Sequence, residues 1–185
     1  MRRLTILLAA ASAVAATVAA VIPSTGAGDD APVHPHATTS PAPRELANEI
    51  ARARIALASF ATDLARARGR GGYKLQITPM MANMGYHFMN PDVTGFDVRR
   101  PPILVYIRKG ADAQLVAAEW VFPRRPARPP LPGARYGSFA AACHYVDGTF
   151  TPQAEEASCA RTSPESGAAF SFWHPDLVTL HLWLW

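Results

Sequence analysis

The apolar positions between residues 43 and 68 predict a single amphipathic helix. They recur at spacings of three and four residues, which places their side chains on one face of a helix. The positions are Leu46, Ile50, Ala53, Leu57, Phe60, Leu64 and Ala67. Pro43 at the start and Gly69 just past the end are typical of helix boundaries. We therefore predict one helix over residues 43–68.

Beyond residue 72 the period of the apolar positions changes to two, which predicts short β-strands. The clearest apolar runs are Tyr73–Thr78, Tyr86–Met89, Ile103–Arg108, Leu115–Phe122 and Leu177–Trp185. The segment Lys109–Asp112 has the length of a hairpin turn, so the two strands on either side of it should pair antiparallel.

Two segments between these strands predict surface loops. Residues 123–133 contain five prolines, which exclude a central strand and favour a stiff, exposed loop. Residues 151–169 carry three glutamates and predict a second loop. No internal repeat divides the chain. We therefore predict one α+β domain over residues 43–185, with one long N-terminal amphipathic helix packed on a mostly antiparallel sheet or on a small, partly open barrel.

Residues 1–27 predict an export signal. Arg2 and Arg3 precede the uncharged run Leu4–Ile22, and small residues follow it, which is the order found in signal peptides. We expect cleavage after Ala27, with Ala20 as the alternative, and a disordered tether over residues 28–42. An uncleaved membrane anchor is the competing interpretation, since about 20 apolar residues span a bilayer. After cleavage we expect no transmembrane span and a secreted, periplasmic or envelope location.

The net charge bears on which partners the chain can bind, and the cysteine content bears on whether it forms a disulfide. The formal net charge is only +4, and loss of Arg2 and Arg3 with the signal would lower it further. No stacking aromatic residues alternate with the arginines, so we do not expect nucleic acid as a partner. Cys143 and Cys159 enclose a short loop. Because an exported chain meets an oxidising compartment, we predict a disulfide between them.

Two histidines and one carboxylate interrupt the predicted strands. His87 lies in the second strand, Glu119 interrupts the run Leu115–Phe122, and His181 interrupts the last strand. Burial of a carboxylate without a partner is costly, so Glu119 should find a partner or face a cavity. Two imidazoles and a carboxylate that converge there would suit a divalent transition metal or a general acid–base pair. The alternative is that all three residues are hydrogen-bonded structural groups at the rim of a sheet.

A second set of metal ligands is offered by the methionines. Apart from the initiator, every methionine lies between residues 80 and 89, beside His87. Thioethers and imidazole suit Cu(I), whereas methionine is also a flexible core residue. His144 and His174 are alternative members of a site, but each lies beside turn residues and is expected at the surface. We find neither the G-x-S-x-G elbow of a hydrolase nor a phosphate-binding glycine loop.

The segment M-G-Y-H-F-M-N-P at residues 84–91 and the terminal H-L-W-L-W at residues 181–185 are the most specific motifs. Together with the runs at residues 72–73, 103–106 and 115–120, they resemble a family of small exported bacterial proteins of unknown function. The resemblance covers residues 51–185 and implies no established activity. Family members continue past the terminal motif with a polar tail, whereas this chain ends at Trp185.

Three functions from different classes follow from these patterns. The first is a binding or structural module of the cell envelope or extracellular space. The second is a metal-binding protein or metal-dependent enzyme that uses His87, Glu119 and His181. The third is a module that binds a membrane surface or a protein partner through the helix arginines and the loop at residues 123–133.

Overall fold

The computed structural model describes residues 41–110 and 112–185, so the predicted signal and most of the predicted tether lie outside the described residues. The chain begins with α1 (Pro41–Leu57), which continues into a 3-10 turn (Ala58–Phe60). A second, short helix follows as α2 (Leu64–Gly69). The helix thus starts two residues before the predicted Pro43, inside the segment expected to be a tether.

The prediction of one helix over residues 43–68 is wrong, because the helix is broken between Leu57 and Leu64. Carbonyl groups in the break are taken by the sheet: the carbonyl of Phe60 accepts a hydrogen bond from the Tyr106 hydroxyl at 2.9 Å. The carbonyl of Ala61 accepts one from the backbone N–H of Leu115 at 2.8 Å. Asp63 then starts α2 by accepting from the N–H of Arg66, as an N-cap residue does.

Nine strands form two antiparallel sheets and no closed barrel within the described residues. The larger sheet has the order β1-β2-β3-β4-β9-β5. Its strands are β1 (Leu75–Gln76), β2 (Tyr86–Met89), β3 (Ile103–Lys109), β4 (Asp112–Phe122), β5 (Gly137–Phe139) and β9 (Leu177–Trp183). The smaller sheet has the order β7-β6-β8. Its strands are β6 (Ala142–Tyr145), β7 (Phe150–Pro152) and β8 (Phe170–His174). A second 3-10 turn covers Glu156–Ser158.

The larger sheet uses its two faces differently. One face packs against the helices in the main apolar core, through Phe88, Leu104, Tyr106, Ala118, Trp120, Leu180 and Leu182. The predicted helix stripe contacts the same core, and all seven of its residues are buried or partly buried there. The residues that alternate with these along each strand lie on the opposite face, which faces the smaller sheet. The break in the helix therefore leaves the packing of the predicted stripe intact.

The predicted strands are present, but four strands were not predicted. The runs at Tyr86 and Ile103 match β2 and β3, and the predicted hairpin joins β3 and β4 antiparallel. The first and last runs are shortened to β1 and β9. The strands that sequence reasoning missed are β5, β6, β7 and β8. β7 occupies the start of the segment predicted as the second surface loop.

Cys143 and Cys159 form the predicted disulfide, which ties β6 to the residue after the second 3-10 turn. Closure of a loop of this size stabilises a fold by about 3 kcal/mol in the chain-entropy account. None of the helices in the described part of the chain is long and apolar enough to cross a membrane.

Gly85 leads into β2 with a φ of 121°, and a Cβ there would collide with the backbone of Tyr106. We expect Gly85→Ala to lower the free energy of unfolding by about 2–4 kcal/mol, because backbone strain and a steric clash with fixed backbone add together. Gly95→Ala is the matched control: Gly95 also has a positive φ of 77°, but its Cβ would meet open space. Urea unfolding followed by tryptophan fluorescence measures both. Equal losses for the two variants would contradict the close approach at Gly85.

Candidate metal and ligand site

A cavity of about 260 Å³ lies between the two sheets. The larger sheet contributes the residues of its second face, and the smaller sheet contributes His144, Phe172 and His174. Most of the wall is apolar, and its polar groups include four of the six histidines of the chain. Met81, Met84 and Phe172 line the cavity and are only partly buried. The sequence does not reveal this arrangement, because it requires the two sheets to face each other.

Strand register places Glu119 directly opposite His181. The two residues are paired across β4 and β9, and Glu119 is also paired with Ile103 on β3. Directly opposed residues in an antiparallel pair project from the same face, so the carboxyl and the imidazole enter the cavity together. Glu119 is 4% exposed, although it is a carboxylic acid in a central strand.

His87 reaches the same carboxyl from β2, across the intervening strand β3. Two strands separated by a third lie about 10 Å apart, so both side chains extend over β3. The Nε2 atom of His87 lies 3.5 Å from Oε2 of Glu119, and the Nε2 atom of His181 lies 3.4 Å from Oε1. One ligand atom from each of the three residues lies within 4.8 Å of the others. The structure therefore brings together the three residues that we selected from the sequence as a candidate site.

The ring of His87 is held in place by a hydrogen bond at its Nδ1 atom, on the side away from Glu119. Its Nδ1 atom lies 2.8 Å from the hydroxyl of Thr78, which also accepts the backbone N–H of His87. The ring of His181 packs in parallel against Trp183, with centroids 6.2 Å apart. Fixing of one ring nitrogen by a neighbouring group is typical of histidines that bind metals through the other nitrogen. Thr78 was not identified from the sequence. Its contact with His87 arises because the segment that follows β1 lies beside β2.

Burial controls the protonation of this cluster. Burial raises the pKa of Glu119 to about 8. Burial lowers the pKa of His181 to about 4, and burial together with the positive charge of a protonated His181 lowers that of His87 to about 4. All three groups are therefore neutral near pH 7, and their contacts are not ion pairs. Neither contact is a hydrogen bond, and the Nε2 atom of His181 is buried without a hydrogen-bond partner among the described residues.

The donor set fits a transition metal. Ligands at 2.0–2.1 Å from a tetrahedral zinc lie roughly 3.4 Å apart, which is close to the two imidazole–carboxyl separations of 3.4 and 3.5 Å. The three ligand atoms as a set span up to 4.8 Å, so the side chains would have to move closer together around an ion. Each imidazole approaches a different carboxyl oxygen, so Glu119 can present one or both oxygens to an ion. Two histidines and one carboxylate form both the His₂Glu set of catalytic zinc and the facial triad of non-haem iron, each with open positions.

His144 and His174 do not lie at the surface, as the sequence analysis expected. They are 1% and 9% exposed, and both line the cavity from the smaller sheet. The short strands β6 and β8 turn both side chains inward. The signal that could have revealed His174 is the period-two pair Phe172 and His174, which share the face of β8 that lines the cavity, whereas no such pair marks His144.

The structure places the methionines and the helix arginines in different surroundings. Met81, Met84 and Met89 line the cavity with His87, whereas Met80 is exposed. The helix arginines Arg52, Arg54, Arg66 and Arg68 all have partners among the described residues, so these four do not form a free cationic face. Arg52 pairs with Glu49, Arg54 donates to the carbonyl of Leu184, Arg66 pairs with Asp63, and Arg68 lies over the ring of Phe88.

The buried titrating groups predict a stability maximum near pH 6.5 in the absence of metal. An unfolded histidine binds a proton below about pH 6.5, but folded His87, His144 and His181 bind one only near pH 4. Stability is therefore lost as the pH falls from 6.5 to 4. Glu119 has the opposite effect: the unfolded carboxyl ionises near pH 4.5, whereas the folded one keeps its proton to about pH 8. The contribution of the neutral carboxyl is therefore lost from about pH 4.5 up to about pH 8, and this loss dominates the profile above about pH 6.5, where the histidine contribution is nearly complete.

Urea unfolding in EDTA at pH values from 5 to 8 measures both limbs. Glu119→Gln should remove the decline between pH 6.5 and 8, because the amide does not titrate. It should also steepen the acid limb above pH 4.5, where ionisation of the unfolded carboxyl partly offsets the histidines in the wild type. Glu165→Gln, at an exposed carboxylate, is the control and should leave the profile as it is in the wild type. An alkaline decline of the same slope in wild type and Glu119→Gln would show that Glu119 is not the responsible group.

Comparisons of this chain with protein-family models, with curated proteins and with solved structures give no match. The resemblance to a family of small exported proteins therefore remains an expectation from the two sequence motifs. The geometry of the cavity carries the functional argument alone.

Proposed function

We propose that this protein binds one divalent transition metal through His87, Glu119 and His181, and that it does so as an exported binding protein. The observation that carries the proposal is the convergence of three buried ligand atoms within 4.8 Å of one another, without hydrogen bonds between them. Structural polar groups in a core are normally hydrogen-bonded. A metal ion would satisfy the two imidazoles and the carboxyl at once.

Metal binding would change the protonation of the cluster in a defined way. Glu119 is held neutral by burial, and it would give up its proton to the solvent as a cation takes its place. The two imidazoles are already neutral near pH 7 and can donate their lone pairs directly. We therefore expect binding to release close to one proton per metal ion at pH 7.

The wall of the cavity supports a role for this metal beyond structure. A His₂Glu set leaves at least one coordination position open, and the cavity provides space for a small molecule beside it. A metal held by His87, Glu119 and His181 would supply Lewis acidity there. The chain itself contributes the fixed imidazoles and a largely apolar wall.

Export is the second part of the proposal, and it is supported by the disulfide between Cys143 and Cys159. Disulfides persist in secreted and periplasmic proteins and are rare in the cytosol. The N-terminal sequence pattern agrees with this location. The absence of a free arginine face on the helix gives no support to binding of an anionic membrane.

Elemental analysis of protein purified without a polyhistidine tag, after incubation with Zn²⁺, Fe²⁺, Mn²⁺ or Cu²⁺ and desalting, tests the metal site. We expect about one equivalent of metal per chain. Glu119→Gln and His181→Ala should weaken metal affinity by more than about 100-fold, because loss of even an outer-sphere partner costs 10–100-fold. Glu165→Gln is the matched carboxylate control and should bind like wild type. Less than one tenth of an equivalent for every metal would overturn the proposal.

Copper(I) is the second candidate, because Met81, Met84 and Met89 share the cavity with His87. Thioether ligands prefer Cu(I) to divalent ions. Titration with Cu(I) under a reductant separates the two sites. Retention of Cu(I) by Glu119→Gln, with its loss in a variant that carries leucine at all three methionine positions, would assign copper to the methionines instead of the His₂Glu cluster.

A further inference from the structure

We propose that His144 and His174 form a hydrogen-bond acceptor site for a small, mostly apolar ligand that carries a hydroxyl or amine donor. This site lies on the smaller sheet and is separate from the three metal-binding candidates. It goes beyond the proposed function, because it assigns a ligand class to the cavity and requires no metal.

Backbone contacts define the tautomer of both rings. The Nδ1 atom of His144 lies 2.7 Å from the carbonyl of Ile77, and the Nδ1 atom of His174 lies 2.6 Å from the carbonyl of Pro175. A carbonyl oxygen can only accept a hydrogen bond, so each Nδ1 must carry the proton. In a neutral imidazole the other nitrogen then holds a lone pair. Both Nε2 atoms are therefore acceptors.

Neither Nε2 atom has a donor within the described residues, although both atoms are buried. The two rings have centroids 5.0 Å apart and line the same cavity. A buried acceptor without a donor costs about 1–3 kcal/mol. Two such atoms on one wall therefore indicate a ligand with a donor group: a hydroxyl can donate to one of the two nitrogens, and an amine can donate to both.

The surroundings set the remaining chemistry of the ligand. The ring of His144 stacks on Phe172 with centroids 4.6 Å apart and planes 5° apart, and Phe139 packs edge-on against it at 5.7 Å. The rest of the lining is largely aliphatic or thioether, from residues such as Ile77, Ile103 and Val121. A volume of about 260 Å³ corresponds to about nine water molecules at about 30 Å³ each. These features favour a compact apolar molecule, of the size of a substituted phenol.

The loop Ile77–Thr78 joins this acceptor pair to the opposite wall. The carbonyl of Ile77 receives His144, while the N–H of Ile77 donates to the carbonyl of His87 at 2.9 Å. The next residue, Thr78, contacts the ring of His87. The same two residues therefore position one imidazole on each wall, and a ligand held by His144 and His174 would occupy the cavity that Glu119 and His181 also line.

Phenol and anisole provide a matched pair of probes, because they share the ring and differ in the hydroxyl donor. We expect wild-type protein in EDTA to bind phenol roughly threefold to tenfold more tightly than anisole, as the net contribution of one hydrogen bond predicts. Titrations followed by ¹⁵N-histidine NMR should shift the Nε2 signal of His144 or His174 with phenol only. The spectrum of the free protein should already show the Nδ1–H tautomer of both rings.

Variants assign the preference to a wall of the cavity. His144→Phe with His174→Gln should bind phenol and anisole with similar affinity. Phe139→Leu changes the wall without removing an acceptor and should retain the preference for phenol. Glu119→Gln disables the metal site but should also retain it, so a failure of the metal proposal and a failure of this one can be told apart.

Three outcomes would overturn the acceptor site. They are equal affinity for phenol and anisole in the wild type, an unchanged preference in the double variant, and loss of the preference in Glu119→Gln. If the double variant does not fold, the wild-type tautomers and Nε2 shifts decide the question. An Nε2–H tautomer for both histidines would then end the proposal.

Discussion

The site depends on one constraint, which is that the alternation of side chains in β4 fixes the carboxyl of Glu119 inside the molecule. The next residue, Trp120, is fully buried against the helices on the other face of the sheet. Glu119 cannot turn toward solvent unless Trp120 leaves the core, and the burial of a tryptophan contributes several kcal/mol. The strand pairs on both sides with β3 and β9, so its register is held as well. The carboxyl of Glu119 must therefore find its polar partners inside the cavity, and the imidazoles of His87 and His181 are the polar groups that approach it.

The motif M-G-Y-H-F-M-N-P divides into residues that build the loop and a residue that reaches the cavity cluster. Gly85 adopts a backbone conformation that side chains disfavour and lies against Tyr106. Asn90 donates from its amide to the carbonyl of Gly71, and its backbone N–H donates to the carbonyl of Pro102. These contacts hold both ends of β2, and His87 between them projects toward Glu119. Specific sequence motifs therefore need not consist of functional residues alone.

The sequence predicted the parts of the fold that local periodicity controls. The helix stripe, the β3–β4 hairpin and the faces of His87, Glu119 and His181 all follow from spacing within one segment. The helix break did not follow, because carbonyls of residues 60 and 61 are taken by Tyr106 and Leu115, which lie far away in the chain. His144 and His174 were misplaced for a similar reason. Their strands are four and five residues long, too short for a clear alternation, and their burial depends on the larger sheet that faces them.

The disulfide between Cys143 and Cys159 supports the cavity from its outer side. Cys143 immediately precedes His144 in β6, so alternation directs the sulfur away from the cavity while the imidazole points into it. Reduction would therefore weaken this wall without changing any residue that lines it. Binding in the cavity would then depend on the redox state of two sulfur atoms that lie outside it.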